Sequence, residues 1–192
     1  MSDLTDTVLL RACRRGDEAA ARALYARLGP MLLVYARTVL RDDMLAEDAV
    51  QNAFCRLFGV PVREVDRVGH AAAWLAAIVR REALTIIRSH RRILARNRRF
   101  AQTRGEVRVE PPRADDLDEL RALGERVAAL PRRVGEVIVL RHVCALTFDE
   151  MALALGANRN TIASRYREAI QKLESQAARP RRAEEKNHVE RP

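Results

Sequence analysis

Arg159, Asn160, Thr161, Ser164, Arg165, Arg167 and Gln171 crowd amides, hydroxyls and permanent positive charge into one short stretch. That set does its chemistry by recognition: amides and hydroxyls hydrogen-bond base edges, and guanidinium groups pair with phosphates. Its spacing is helical. Ile162, Tyr166, Ala169, Ile170 and Leu173 recur at three- and four-residue steps, which predicts a helix with those side chains turned inward. Asn160, Ser164, Arg167 and Gln171 then face outward, flanked by Thr161, Arg165 and Glu168. Such a face suits a helix lying in a DNA major groove. A helical hairpin with a solvated polar face shares the pattern, so both readings stand at this point.

The elements that would position this helix are legible upstream. Residues 130–173 read as three consecutive helices, the last two forming a helix-turn-helix. Thr147 and Glu150 have the T-x-x-E spacing of a capping box, in which each side chain satisfies a backbone N–H at a helix start. Phe148, Met151, Ala152 and Leu155 follow at helical spacing. Gly156 supplies the left-handed residue that ends a helix, and Asn158 or Asn160 caps the next.

A second group of polar residues lies in the first half of the chain. Leu45, Ala49, Val50, Ala53, Phe54 and Leu57 make a buried stripe, leaving Glu47, Asp48, Gln51 and Asn52 as an exposed acidic and amide face. Ordinary helix solubility accounts for such a face as well as a docking role does. A long helix over 70–92 carries Trp74, Ile78 and Thr85 on one side and Arg80, Arg81, Arg88, Arg91 and Arg92 along another. Between Arg88 and Arg108 there are eight arginines against one acid, Glu106, an imbalance suited to tracking phosphates.

Composition sets the context. Hydrophobic residues make up 48% of the 192 positions and aromatics only 4%, which favours a helical chain with a sizeable core. The net charge of +9, carried almost entirely by arginine, fits a polyanionic partner. Cys13, Cys55 and Cys144 are far apart, which argues against a zinc site or a disulfide framework. Cys55 and Cys144 sit in apolar patterns and are expected to be buried thiols. The start of the chain lacks a signal-peptide pattern, and its longest apolar run, at 71–79, is well short of the roughly 18 residues of a membrane span. The expectation is a cytoplasmic protein without membrane insertion.

The fold class expected is all-α, with two helical domains joined by a flexible linker. Residues 1–95 form the first domain, 96–117 the linker, 118–175 the helix-turn-helix domain, and 176–192 a disordered tail. Within the first domain, amphipathic patterns predict helices over 4–13, 18–28, 31–40 and 44–58, with Gly29-Pro30 as a break and 59–69 as a loop.

The two blocks together resemble bacterial sigma factors of the extracytoplasmic-function class. The resemblance runs over about residues 20–174, through LYARLGPMLLVYARTVLRDDMLAEDAVQNAFCRLF, WLAAIVRREALTIIRSHRR and LPRRVGEVIVLRHVCALTFDEMALALGANRNTIASRYREAIQKL. The AED-x-x-Q element and the spacing from Leu130-Pro131 to the terminal helix-turn-helix carry it jointly. It implies that Glu47, Asp48, Gln51 and Asn52 meet RNA polymerase core. It also implies that residues 59–69, Trp74 and the basic flank Arg80, Arg81, Arg88, Arg91 and Arg92 meet the opened minus-ten strand. Arg159, Asn160, Thr161, Ser164, Arg165, Arg167 and Gln171 would meet the minus-thirty-five duplex. The implied partners are polymerase core, promoter DNA and an anti-sigma factor, with a monomer when free and no cofactor. The chain departs from the family's R-N-x-x-x-D-x-x-R motif at Arg81 and Thr85, and has Asn52 where an acid is common.

Two other readings compete. A free-standing repressor or activator would use only the helix-turn-helix, yet such proteins usually dimerise on palindromes and the chain shows no heptad seam. A helical interaction adaptor would leave the arginine bias unexplained. An enzyme is not expected. His70, His90, His142 and His188 are scattered, and neither a Gly-rich phosphate loop nor metal-ligand spacing occurs.

Overall fold

In the computed structural model, residues 2–98 and 126–177 are described, with side chains from 5 to 93 and from 126 to 176. Among them every regular element is a helix: α1 (Ser2–Arg14), α2 (Glu18–Leu40), α3 (Asp43–Leu57), α4 (Val62–Val65), α5 (Ala71–Arg98), α6 (Arg132–His142), α7 (Phe148–Leu155) and α8 (Arg159–Ala177). Residues 126–129 add a further helical turn before α6. The expected linker beyond Arg98 and the expected tail beyond Ala177 lie outside the described residues, and α8 continues through 176 and 177, the first two positions assigned to that tail. The helix of α5 itself runs past the boundary placed at residue 95.

Gly29-Pro30 does not break the chain: α2 is one helix with Pro30 inside it. An internal Pro costs about 3 kcal/mol through its lost hydrogen bond and ring clash. Burial on both sides outweighs that. Leu24 and Leu28 before the Pro, and Leu32, Tyr35 and Val39 after it, are all buried. Each such side chain contributes about 1.5–3 kcal/mol, so a stripe running through the Pro holds both halves on one axis.

The run 71–79 has a different reason for its apolarity. The first half of α5 packs on α2 and α3 on one side and on α7 on the other. Ala71, Ala72, Ala73, Leu75, Ala76, Ile78, Val79 and Ala83 are therefore all buried, and the small Ala side chains let neighbours approach closely. No described helix is long and apolar enough to cross a membrane.

Helix starts follow local chemistry. Asp17 accepts from the Ala20 N–H and Asp42 from the Leu45 N–H, both at 2.9 Å. His70 Nδ1 accepts from the Ala73 N–H at 3.2 Å, so the imidazole caps the long α5. Residues 59–69, expected as a loop, contain the single turn α4, anchored by the fully buried Val65. Cys55 is exposed, contrary to expectation, because the buried stripe of α3 passes through Ala53, Phe54 and Leu57 and turns Cys55 outward. Cys144 is buried, and that burial pushes its thiol up to about 12.

Candidate nucleic-acid and polymerase interfaces

The helix-turn-helix is built as its sequence signals require. Thr147 Oγ1 accepts from the Glu150 N–H at 3.3 Å, and Glu150 Oε2 accepts from the Thr147 N–H at 2.7 Å. Gly156 ends α7 at φ +60°, a conformation that costs an L side chain about 1–2 kcal/mol. Asn158 Oδ1 then accepts from the Thr161 N–H at 2.7 Å, which settles the cap on Asn158 and leaves Asn160 free to face outward. Ile162 and Ala169 seat α8 on the core, with Tyr166, Ile170 and Leu173 packed at its margin. Asn160, Ser164, Arg167 and Gln171 are exposed, while Thr161 and Arg165 are half-buried at the flanks. Arg159 is exposed and lies 3.3 Å from the Asp149 carboxylate across the turn. Asn160, Ser164, Arg167 and Gln171 therefore share an exposed face of α8, with Arg159 exposed at its start and Thr161 and Arg165 half-buried at its edges.

On the first unit, Glu47, Asp48, Gln51 and Asn52 are exposed on α3, which begins at the Asp42 cap. Ala46, Ala49, Val50, Ala53 and Leu57 bury the opposite side against α2 and α5. The acidic and amide face is thus held on a rigid helix and is open to a partner.

The third group is only partly assembled as expected. Trp74 is half-buried and lines a cleft of about 690 Å³ with Arg67, Val68, His70 and Ala77, closed on the far side by Glu150 and Leu153 of α7. Arg81, Arg88, Arg91 and Arg92 are exposed along α5. Arg80 is not part of that exposed flank. Its Nε donates to Glu136 Oε2 on α6 at 3.2 Å, and the Glu136 side chain is 1% exposed. Glu136 escapes a sequence reading because the pair joins residues far apart in the chain.

The 59–69 segment is held from α1. Arg11 Nη2 donates to the Asp66 carbonyl at 3.0 Å, Arg14 Nε to the Val60 carbonyl, and Arg15 pairs with the Asp66 carboxylate at 2.8 Å. These arginines look like unremarkable surface charge in sequence; their targets appear only when the chain folds back. Among the described residues no cluster of His, Cys, Asp and Glu is arranged to hold a metal ion.

Comparison with known proteins gives these surfaces a family context. The sigma-70 region 2 family model matches residues 24–93, and the sigma-70 region 4 model matches residues 120–173. A curated relative, the ECF RNA polymerase sigma factor SigK of Mycolicibacterium vanbaalenii, is 30% identical over 171 residues, spanning 86% of this chain and 85% of its own. SigK of Mycobacterium tuberculosis strain H37Ra is 28% identical over 173 residues, spanning 86% and 89%. Among solved structures, the sigma factor RpoE from Bartonella quintana, in complex with the anti-sigma factor NepR, matches with a TM-score of 0.65 at 21% identity over 82% of this chain and 98% of that one. CnrH, in complex with the cytosolic domain of CnrY, matches at 0.63 and 22% identity over 90% and 97%. At these identities the two structures establish a shared fold.

Proposed function

Because the chain belongs to the extracytoplasmic-function class of the sigma-70 family, it directs RNA polymerase core to specific promoters, and we propose which of its surfaces do so. The α3 face of Glu47, Asp48, Gln51 and Asn52 binds polymerase core. The outward strip of α8, from Arg159 to Gln171, reads the minus-thirty-five duplex, with Asn160 and Gln171 on base edges and the arginines on phosphates. Trp74 and the exposed arginines of α5 receive the opened minus-ten strand, an aromatic to stack a base and guanidinium groups to track the backbone. The roles divide at the joint between α5 and residue 126, the first unit for core and minus-ten, the second for minus-thirty-five. The chain supplies no bond-breaking chemistry and works in the cytoplasm beside the polymerase. The anti-sigma partner named with RpoE adds a regulatory partner class to the proposal.

The observation that carries this reading is the coexistence, in one chain matched by both family regions, of an open helix-turn-helix face and a separate open acidic face. Core holding both units on one DNA makes their binding multivalent, so the free chain should bind promoter duplex weakly and the holoenzyme tightly. Comparing the two by filter retention tests it; tight, specific duplex binding by the free monomer favours an independent regulator instead.

Arg165, at the flank of α8, is expected to contact phosphate. Arg165→Ala should weaken upstream-duplex binding about equally across sequences and lower the salt slope by about one. A loss of sequence preference at unchanged salt slope would move Arg165 to base readout.

A further inference from the structure

The region 2 match begins at residue 24 and leaves α1 outside it, yet α1 is the helix that holds the 59–69 segment. We propose that α1 is a positioning element for base selection, its arginines setting how Glu64 and Arg67 meet a minus-ten base beside Trp74. The proposal rests on the assignment of residues 59–69 and Trp74 to the opened minus-ten strand and deepens it.

The segment is too short to set its own pose. Its regular element is the four-residue α4, far below the roughly 12 residues at which a helix becomes even marginally stable alone. Val65 and Val68 are its buried anchors, while Pro61, Val62, Arg63, Glu64, Asp66 and Arg67 are exposed. Its own turns use the carbonyls of Pro61, Val62, Glu64 and Val65. Donors from α1 take a different set. Arg14 Nε donates to the Val60 carbonyl, and Thr7 Oγ1 to that of Gly69 at 3.5 Å. Arg11 Nη2 serves two, the Asp66 carbonyl at 3.0 Å and the Val68 carbonyl at 3.4 Å. Thr7, Arg11 and Arg14 stand at steps of four and three, so one face of α1 spans the segment from end to end. Arg15 adds its pair with the Asp66 carboxylate.

The helix that carries these donors is itself fixed. Leu10 and Cys13 are buried, and the buried Asp6 pairs with Arg27 of α2 at 2.6 Å. Arg11 therefore holds the carbonyls on either side of Arg67 from a rigid base, and Arg67 lines the cleft with Glu64 and Trp74. A carboxylate accepts from the exocyclic amine of cytosine, and a guanidinium donates to guanine O6 and N7. Such readout needs the reading group held within about 0.5 Å of its productive place. Hydrogen bonds from a charged guanidinium are about twice as strong as neutral ones, which suits them to holding that backbone.

The test assembles polymerase core with the full chain and sequences the fragments retained from the genome that encodes it. Arg11→Met keeps an aliphatic stem on the α1 face and removes both donated bonds. It should capture core as wild type does and leave the upstream box unchanged. Base preference at one or more positions of the downstream box should fall about tenfold, the scale of one lost base contact. Arg67→Ala should relax the same position, and the double variant should go no further than Arg67→Ala alone, because Arg11 acts through Arg67. Full preference in Arg11→Met, or additive losses in the double variant, overturns the proposal. If Arg67→Ala and Trp74→Ala both keep full preference, the minus-ten reading itself falls. If they relax it and Arg11→Met does not, only the role of α1 falls. Amide exchange in the free chain gives a second measurement that needs no DNA. The Arg67 and Val68 N–H groups, bonded to the Glu64 and Val65 carbonyls, should exchange about tenfold faster in Arg11→Met, with α2 and α3 unchanged. Equal exchange at those two amides in a folded chain overturns the positioning role.

Discussion

A chain carrying Asp48→Arg with Gln51→Arg is expected to lose capture of RNA polymerase core by at least about a hundredfold, because opposing like charge at a docked face is strongly unfavourable. Both positions are exposed on α3, whose packing comes from Ala46, Ala49, Val50, Ala53 and Leu57 on the other side. Arginine is also a good helix former, so the helix itself should survive the change. Thermal melting should therefore match wild type while co-purification with core fails. Wild-type capture by the variant would take α3 out of the polymerase interface.

Ile162→Ala should have an equally large effect by another route. Ile162 is fully buried and seats α8 on a small core that includes Leu140, Leu146 and Met151. Removing a buried Ile side chain costs about 2–5 kcal/mol in transfer and cavity terms. A unit of roughly fifty residues has only about 3–8 kcal/mol of stability in total, so the loss should loosen the whole helix-turn-helix. Binding to the minus-thirty-five duplex should fall at least tenfold and a lower-temperature melting transition should appear. Core capture through α3 should persist, because that surface belongs to the other unit. Unchanged duplex binding would mean that α8 is positioned by contacts other than this core.

Features that depend on local chemistry could be read from the sequence. The Thr147–Glu150 box, the Gly156 stop and the stripes of α3 and α8 are set by side chains within a few residues of one another, and the structure has them where expected, except that Leu45 is only half-buried and the fully buried Ala46 begins the α3 stripe in its place. The misreadings share a cause in tertiary packing. Pro30 has a breaker's local preference, and only the continuous burial from Leu24 to Val39 overrides it. The apolar run of α5 gives no hint that α7 covers its second side. Cys55 lies in an apolar neighbourhood of sequence yet falls outside the stripe by its helical phase.

The recognition groups divide the same way. The α3 and α8 faces follow from periodicity, since exposure on a helix is the complement of its buried stripe. Arg80 shows the limit: its spacing matches an exposed flank, and its actual partner, Glu136, is supplied by a helix beyond the joint. Arg11, Arg14 and Arg15 show the reverse, being ordinary in sequence and structural anchors of the 59–69 segment once folded.

Promoter direction itself is tested most directly by sequencing the genomic fragments that polymerase core retains only when this chain is present. The account predicts two recurring boxes at one fixed spacing, absent from the fragments retained by core alone and by the free chain. A palindromic box recovered with the free chain, and no dependence on core, would contradict it.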